Sequence, residues 1–234
     1  MAAPALVLWD IDHTLLNSGG VSRGLYSRAF EQVVGRPLDE LADLTGRTER
    51  AIVLETLRLG GVTDPEPLLS AFYPAMADAA RELRGTMRAR GHALPGAHQA
   101  VADLVGAGIV QSVVTGNLRP VAETKLAAFN LTEHLDLDVG GYGDAALDRA
   151  VLVTLAVTQA EATHDVIFPR RRVVVIGDTI HDVKGALDAG VRPVGVATGR
   201  DSAAELAAAG AAAVLADLTD LSALRLAVFG ATQS

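Results

Sequence analysis

The residues with the clearest chemical potential lie at the end of an apolar run near the N-terminus. Asp10 and Asp12 stand two positions apart after the run Leu6-Val7-Leu8-Trp9, and the hydroxyl residue Thr14 follows them. Side chains alternate along a strand, so both carboxyl groups either face the same way or share a small space at a turn. Two carboxylates this close repel one another unless a cation or a proton lies between them. The spacing therefore indicates a metal site, an acid–base site, or both.

The composition limits the class of protein. The chain has 234 residues, of which 50% are hydrophobic, enough for one domain with a sizeable core or a core with an insertion. It has no cysteine, which excludes disulfides, thiol catalysis and cysteine-ligated metal and fits a cytoplasmic protein. Its apolar runs are too short and interrupted to predict a membrane span. The formal net charge of -8 and the absence of a basic cluster beyond Arg170-Arg171-Arg172 argue against a nucleic-acid partner.

Strand-length apolar runs alternate with longer helical patterns over most of the chain. Such alternation is typical of an α/β fold with a doubly wound parallel sheet, covered by helices on both faces. The predicted strands are 5–10, 109–115, 173–177 and 192–197, with weaker candidates at 135–139 and 212–216, and the predicted helices are 97–107, 119–129, 146–162, 182–189 and 202–209.

One long stretch departs from this alternation. Residues 18–93 contain no convincing strand and are instead predicted to form several amphipathic helices directly after the first strand. We therefore expect an α/β core domain of residues 1–17 and 94–234, with residues 18–93 inserted as a helical domain. The predicted helices of this insertion are 22–35, 38–43, 47–59, 65–73 and 75–90.

Polar residues follow the predicted strands of the core. In an open α/β sheet, ligands bind beyond the carboxyl ends of the strands, so these positions are candidates for one site. Thr115-Gly116-Asn117 follows the strand at 109–115, and Asp178 and Asp182 follow the strand at 173–177. Together with Asp10 and Asp12, three strand ends thus bring four carboxylates and a hydroxyl group to one edge of the sheet.

This set of motifs resembles the phosphatase branch of the haloacid dehalogenase superfamily. Asp10-x-Asp12-x-Thr14 is similar to its first motif, Thr115 to its second, and Gly177-Asp178-x-x-x-Asp182 to its fourth. The helical insertion falls where that family places its first type of cap domain, and Leu94-Pro95-Gly96 resembles the point where such caps rejoin the core. The resemblance implies a Rossmann-like core and Mg²⁺-dependent hydrolysis of small phosphomonoesters, close in character to phosphoglycolate phosphatase.

The resemblance and the residue chemistry suggest the same roles. Asp10 is expected to be the nucleophile that forms an aspartyl-phosphate, and Asp12 to act as general acid and then general base. Carboxylate oxygens suit Mg²⁺, and the resemblance adds the backbone carbonyl of Asp12 as a further contact. The phosphate would bind the Thr115 hydroxyl and nearby backbone N–H groups at a helix N-terminus. The expected metal-site residues are Asp10, Asp12, Asp178 and Asp182, and the expected substrate-binding residues include Gly116 and Asn117.

The third motif of the family is the least clear. The family places there a Lys that bridges the nucleophile and the phosphate, but this chain has only two lysines, Lys125 and Lys184. Lys184 is expected to be solvated. Arg149 occupies the place where many relatives carry the Lys, and its guanidinium keeps the charge in a forked geometry. We favour Arg149 for this role, with Lys125 as the rival.

Two other positions bear on the site. His13 stands where relatives usually have Gly, and we expect it to adopt a turn conformation that His tolerates rather than to act in catalysis. The segment Leu44-Thr45-Gly46-Arg47-Thr48 resembles the substrate-facing cap loop of phosphoglycolate phosphatase and phosphoglucomutase relatives. Arg47 is therefore a candidate to contact a carboxylate or a sugar hydroxyl of the substrate.

Three alternative functions remain open at this point. A phosphomutase similar to β-phosphoglucomutase needs the same acid–base Asp12. A carbon–halogen hydrolase is disfavoured, since that branch uses neither the second Asp nor the metal site. A catalytically weak binding protein on the same fold is suggested by His13 and the missing Lys. The expected partner is a small phosphorylated metabolite, and no pattern indicates the oligomeric state.

Overall fold

The computed structural model of this protein describes residues 4–106 and 108–230. Its centre is a five-stranded sheet in which every pairing is parallel, and a separate two-stranded antiparallel ribbon lies beside it. The strands are β1 (Ala5–Trp9), β2 (Leu16–Asn17), β3 (His92–Ala93), β4 (Ile109–Val113), β5 (Val173–Gly177), β6 (Arg192–Val196) and β7 (Ala213–Leu215).

The order of the strands across the sheet is β4-β1-β5-β6-β7. The chain thus winds outward from β1 in both directions, as in a doubly wound fold. Side chains of β1 alternate between two apolar clusters: Leu6 and Leu8 pack on one face of the sheet, and Val7 and Trp9 on the other. Burial on both faces explains why β1 and β5 are continuous apolar runs, and the predicted fold class is confirmed.

Nine α-helices flank the sheet or form the insertion within the described residues. Helix α3 packs against both α1 and α5, so the helices of residues 18–93 share a continuous apolar core with the sheet. The helices are α1 (Ser22–Val34), α2 (Glu49–Leu59), α3 (Leu69–Arg90), α4 (Ala97–Asp103), α5 (Arg119–Ala128), α6 (Arg149–His164), α7 (Ile180–Asp188), α8 (Ala203–Ala208) and α9 (Leu221–Phe229).

The structure corrects several predicted elements. Residues 38–43 are irregular rather than helical, and the weak strand at 135–139 is a 3-10 turn over Leu137–Val139. The two helices predicted on either side of Pro74 form the single helix α3, whose packing against α1 and α5 tolerates the proline near its N-terminal end. Helix α9 was not expected from the sequence.

The insertion leaves and rejoins the core through the ribbon. Leu16 pairs with Ala93 and Asn17 with His92, so the chain enters and exits the helical segment side by side. The backbone N–H of Leu94 also donates to the Leu15 carbonyl at 2.9 Å. None of the helices that the structure describes is long and apolar enough to cross a membrane.

Candidate active site

The loop after β1 carries the first two carboxylates. Asp10 is 7% exposed, and its backbone N–H donates to the carbonyl of Ile176 at 2.8 Å. His13 has a φ of 63°, so the predicted turn role of this residue is confirmed. The turn brings Thr14 beneath the site, where its hydroxyl donates to Oδ1 of Asp178 at 3.0 Å.

Three of the predicted carboxylates come together. Asp10, Asp178 and Asp182 are all buried, and each offers an oxygen that lies within 4.8 Å of the other two. Asp182 is held by a capping box at the start of α7, in which the Thr179 hydroxyl donates to Oδ2 of Asp182 at 2.6 Å. The other oxygen of Asp182, Oδ1, has no hydrogen-bond partner among the described residues.

Charge and burial at this cluster favour a bound cation. Burial, together with repulsion from Asp182, raises the pKa of Asp10 to about 7. Burial and repulsion from Asp10 and Asp182 raise the pKa of Asp178 to about 9. Three crowded, buried carboxylates, including an Asp182 oxygen that accepts no hydrogen bond, are a donor set that fits Mg²⁺ or a similar hard divalent ion.

Arg149 places a cation against the same cluster. It is the first residue of α6, and Asp148 caps that helix. Its Nη2 atom donates to Oδ1 of Asp10 at 2.6 Å and to the Val114 carbonyl at 3.2 Å. The same atom lies 2.5 Å from Oδ1 of Asp182 as an ion pair without hydrogen-bond geometry. Arg149 therefore contacts the candidate nucleophile, and its buried Nε has no partner among the residues described.

Asp12 belongs to a second network. Its Oδ2 accepts from Lys125 Nζ at 2.6 Å and from Asn117 Nδ2 at 2.8 Å, and Lys125 also donates to Oδ1 of Asn117 at 2.7 Å. Burial alone would raise the pKa of Asp12, but Lys125 and Asn117 hold it below its ordinary value. Lys125 thus reaches Asp12, whereas Arg149 reaches Asp10, and the side chain of Asp12 lies apart from the three clustered carboxylates.

The loop after β4 continues this network. Asn117 Nδ2 donates to the Thr115 hydroxyl oxygen at 2.8 Å, and both side chains are buried. Gly116 lies between them, where a Cβ atom would come within 2.1 Å of the carbonyl oxygen of Arg47. A glycine is thus required for the insertion to approach this loop. The predicted substrate-binding residues Gly116 and Asn117 lie in one loop beside Asp12.

The start of α2 is seated on the core. The backbone N–H of Glu49 donates to the Gly116 carbonyl at 2.7 Å, and that of Arg50 donates to the Gly143 carbonyl at 2.9 Å. These bonds satisfy N–H groups that a helix N-terminus leaves without intrahelical partners. Arg47 lines the cavity described below, but its guanidinium is held 2.5 Å from Oε2 of Glu55.

Sequence reasoning missed Tyr26 and Glu49. Both are 3% exposed, and the Tyr26 hydroxyl donates to Oε1 of Glu49. Burial raises the pKa of Glu49 to about 7 and that of Tyr26 well above its ordinary value. A Glu in the first turn of a helix is usually a solvated partner of the helix dipole, so the sequence carries no signal of its burial.

A cavity of about 670 Å³ joins these parts. Asp10, Asp12, Thr115 and Asp178 line it from the core, and the loop after β6 contributes Thr198, Gly199 and Arg200. The insertion lines it with Tyr26, Glu49 and the apolar side chains of Leu25, Ile52 and Met76. The floor of this partly apolar cavity thus brings together the clustered carboxylates of Asp10 and Asp178 and the separate carboxylate of Asp12.

Comparison with known proteins places this arrangement in a family. Residues 7–187 match the family model of haloacid dehalogenase-like hydrolases. The tyrosine-protein kinase PtkA of Mycobacterium tuberculosis is 29% identical over 204 residues, which cover 84% of this chain and 63% of that protein. PtkA of Mycobacterium bovis matches equally. The chain therefore spans less than two thirds of the length of these curated relatives.

Solved structures share the fold. CbbY from Rhodobacter sphaeroides in complex with phosphate superimposes with a TM-score of 0.71 at 22% identity, over 95% of this chain and 100% of CbbY. A hydrolase from Pseudomonas syringae gives a TM-score of 0.67 at 22% identity, over 93% of this chain and 95% of that one. With the family model matching most of the sequence, the resemblance inferred from the motifs is confirmed: the chain belongs to the haloacid dehalogenase-like hydrolase family.

Proposed function

We propose that this protein is a Mg²⁺-dependent phosphatase that hydrolyses small phosphomonoesters. The observation that carries the proposal is the position of Asp10, buried at the floor of the cavity between Arg149 and the carboxylates of Asp178 and Asp182. Phosphoryl transfer needs an in-line nucleophile and positive charge around the transferred group. The Asp10 carboxylate supplies the nucleophile, and Arg149 together with a bound cation would supply the positive charge.

The reaction proceeds in two steps. An Asp10 carboxylate oxygen attacks phosphorus, the bond to the leaving oxygen breaks, and the leaving oxygen takes a proton from Asp12. Asp12 must therefore be protonated when the substrate is bound, whereas Lys125 and Asn117 favour its ionised form in the free protein. Water then attacks the phosphorus of the aspartyl-phosphate, Asp12 accepts the water's proton, and the bond to Asp10 breaks to release phosphate. Asp10, Asp178 and Asp182 would hold Mg²⁺, which would neutralise part of the charge on the phosphoryl oxygens.

The loop after β4 and the insertion complete the site in this proposal. The Thr115 hydroxyl and the backbone N–H group of Gly116 bind the phosphoryl oxygens. Residues 18–93 act as a cap that shields the aspartyl-phosphate and contacts the leaving group, with Arg47 at its rim. The cytoplasmic location expected from the sequence stays a prediction.

A panel of phosphorylated metabolites tests the proposal. Purified protein is incubated with each compound with Mg²⁺ or with EDTA, and inorganic phosphate is measured. We expect release of phosphate from at least one monoester, with loss of the activity in EDTA. Conversion of a sugar phosphate into an isomer without phosphate release would instead favour a phosphomutase. If no compound is turned over and acetyl phosphate does not phosphorylate Asp10, the result would favour the alternative of a catalytically weak binding protein on the same fold.

A second candidate function is transfer of a phosphoryl group to tyrosine. It is favoured by the 29% identity to PtkA, which is named a tyrosine-protein kinase. Incubation with ATP and a tyrosine-containing copolymer, followed by detection of phosphotyrosine, distinguishes the two candidates. Phosphotyrosine formation without release of phosphate from any small monoester would replace the proposed phosphatase.

A further inference from the structure

One buried acidic pair in the cavity has no part in the proposed reaction steps. Tyr26 on α1 and Glu49 on α2 both line the cavity from the insertion, and the phenol donates a hydrogen bond to the carboxyl group. The Glu49 carboxyl also accepts from the backbone N–H of Leu118. A carboxylate offers about four acceptor positions, so these two bonds leave acceptor capacity toward the cavity.

The cations that line the cavity are committed to other groups. Lys125 binds Asp12, and Arg149 binds Asp10, so both lie beside the reacting phosphoryl group. The remaining two cations, Arg47 and Arg200, lie at the rim of the cavity. Arg47 is paired with Glu55, and Arg200, whose side chain is 73% exposed, lies 3.8 Å from Asp43.

The wall next to Glu49 therefore combines acidic and apolar groups, and Lys125, whose charge also acts on Glu49, is shared with Asp12. Leu25, Ile52 and Met76 are buried cavity-lining neighbours on the insertion side, and none offers a hydrogen bond donor to an anion. A hydroxyl group of a ligand would donate to the open acceptor position of Glu49. Above the pKa of Glu49, about 7, a carboxylate or a second phosphate there has no proton to donate and would meet a like charge away from water.

We propose that the Tyr26–Glu49 pair selects substrates whose leaving group carries an uncharged hydroxyl, as in sugar or polyol monophosphates. The pair disfavours substrates with a carboxylate or a second phosphate at that position. This inference rests on the proposed phosphatase function and names its substrate class. It also separates this protein from CbbY, one structure of which is a complex with xylulose-(1,5)bisphosphate.

Two substrates with the same carbon skeleton test the selection. sn-Glycerol 3-phosphate and 3-phosphoglycerate differ in whether the terminal carbon is a hydroxymethyl or a carboxylate. The measured quantity is the ratio of their kcat/KM values at saturating Mg²⁺ and at a pH well above 7, where Glu49 is ionised. For the wild-type protein we expect a ratio of about 10- to 100-fold in favour of glycerol phosphate, the range for a hydrogen bond to a charged group.

Two variants test whether the Tyr26–Glu49 pair causes this ratio of kcat/KM values. Glu49→Gln keeps the shape of the side chain but removes its charge, and we expect the ratio to fall to within about threefold of unity. Tyr26→Phe removes the hydrogen bond that positions Glu49, and we expect a smaller fall in the same direction. The matched control is Glu31→Gln on the exposed face of α1, which should retain the wild-type ratio.

The outcomes separate the inference from the function on which it rests. If neither acetyl phosphate nor any monoester of the panel is hydrolysed with Mg²⁺, the proposed phosphatase function fails, and the inference fails with it. If acetyl phosphate is hydrolysed but wild-type protein uses 3-phosphoglycerate as well as glycerol phosphate, only the inference is overturned. A folded Glu49→Gln protein with the wild-type ratio also overturns it. If Glu49→Gln does not fold, an unchanged ratio in Tyr26→Phe overturns the assignment instead.

Discussion

Lys125 Nζ lies 2.6 Å from Oδ2 of Asp12, although Lys125 sits seven residues into α5. The ammonium group therefore acts on the candidate acid–base residue rather than on the candidate nucleophile, which Arg149 contacts. The positive charge that the family provides with one Lys is thus distributed between two side chains on different helices. This distribution makes different predictions for the two residues.

Removing each cation should affect the reaction differently. In Lys125→Ala, burial dominates at Asp12 and raises its pKa, so we expect the pH–rate profile to move toward higher pH. In Arg149→Ala, we expect kcat to fall by about 10²- to 10³-fold at every pH, because charge stabilisation at the phosphoryl group is lost. Because Arg149 also lowers the pKa of Asp10, its removal should move the ionisation of Asp10 toward higher pH as well, so the loss of kcat at the optimal pH distinguishes the two variants. The measurement is kcat as a function of pH. Lys125→Arg, which keeps the charge, is the control. Full activity in both alanine variants would contradict our account of these two cations.

The position of Lys125 also marks a limit of inference from sequence. The strand ends and their carboxylates could be located from apolar patterning, because parallel strands end at one edge of a sheet. Lys125 shares the buried face of α5 with Val121 and Ala122, and this helical spacing is a signal that could have been used. The burial of Glu49 left no such signal, since it arises from contact between α2 and the loop after β4.

The insertion was the less predictable part of the fold. Amphipathic spacing located α1 and α2, but the same pattern at residues 38–43 belongs to an irregular segment. Ala42 is buried there, and its backbone N–H donates to the Thr56 hydroxyl at 3.3 Å. The Ala42 N–H thus bonds to a distant side chain instead of to a helical carbonyl. Local hydrophobic patterning cannot reveal such a tertiary hydrogen bond.

Substitutions of Asp10 and of Asp12 should impair the reaction in different ways. Asp10→Asn replaces the nucleophile with a neutral amide, so we expect no turnover and no phosphorylated protein. Asp12→Asn removes proton transfer, with an expected loss of about 10²- to 10⁴-fold in kcat. Mass spectrometry after incubation with acetyl phosphate tests for the added phosphoryl group, and phosphate release gives kcat. Turnover of Asp10→Asn within tenfold of wild type would remove Asp10 from the proposed role.

The clustered carboxylates should make the metal-free protein less stable as pH rises. The folded-state pKa values of Asp10 and Asp178, about 7 and about 9, exceed the unfolded value of 3.8. The folded protein therefore binds more protons than the unfolded one between these values, and stability decreases through that range. Because Mg²⁺ competes with those protons, its stabilising effect should grow with pH.

Thermal unfolding between about pH 5 and pH 9, with EDTA or Mg²⁺, measures both effects. We expect Asp178→Asn to be less sensitive to pH without metal and to lose the gain in Tm from Mg²⁺. The exposed Asp188, the last residue of α7, provides the control, since Asp188→Asn should retain both. A Tm in EDTA that rises from pH 5 to pH 9 would contradict the predicted sign.

Contact between α2 and the core should depend on two glycines. A Cβ atom at Gly143 would lie 1.7 Å from the Gly116 carbonyl oxygen, which accepts the hydrogen bond from Glu49. Gly143→Ala therefore displaces the start of α2 and moves the Tyr26–Glu49 pair relative to Asp10. Because misplacement of about 1 Å can cost 10²-fold in rate, we expect kcat/KM to fall by about that factor.

The matched control lies in a helix that has room for a methyl group. A Cβ atom at Gly85 in α3 would meet nothing within 4 Å, so Gly85→Ala should leave kcat/KM unchanged and stabilise the helix by about 0.5–1 kcal/mol. Steady-state kinetics and urea unfolding of both variants distinguish loss of the contact between α2 and the core from loss of folding. Wild-type kinetics in Gly143→Ala would mean that turnover does not require the contact of α2 with Gly116.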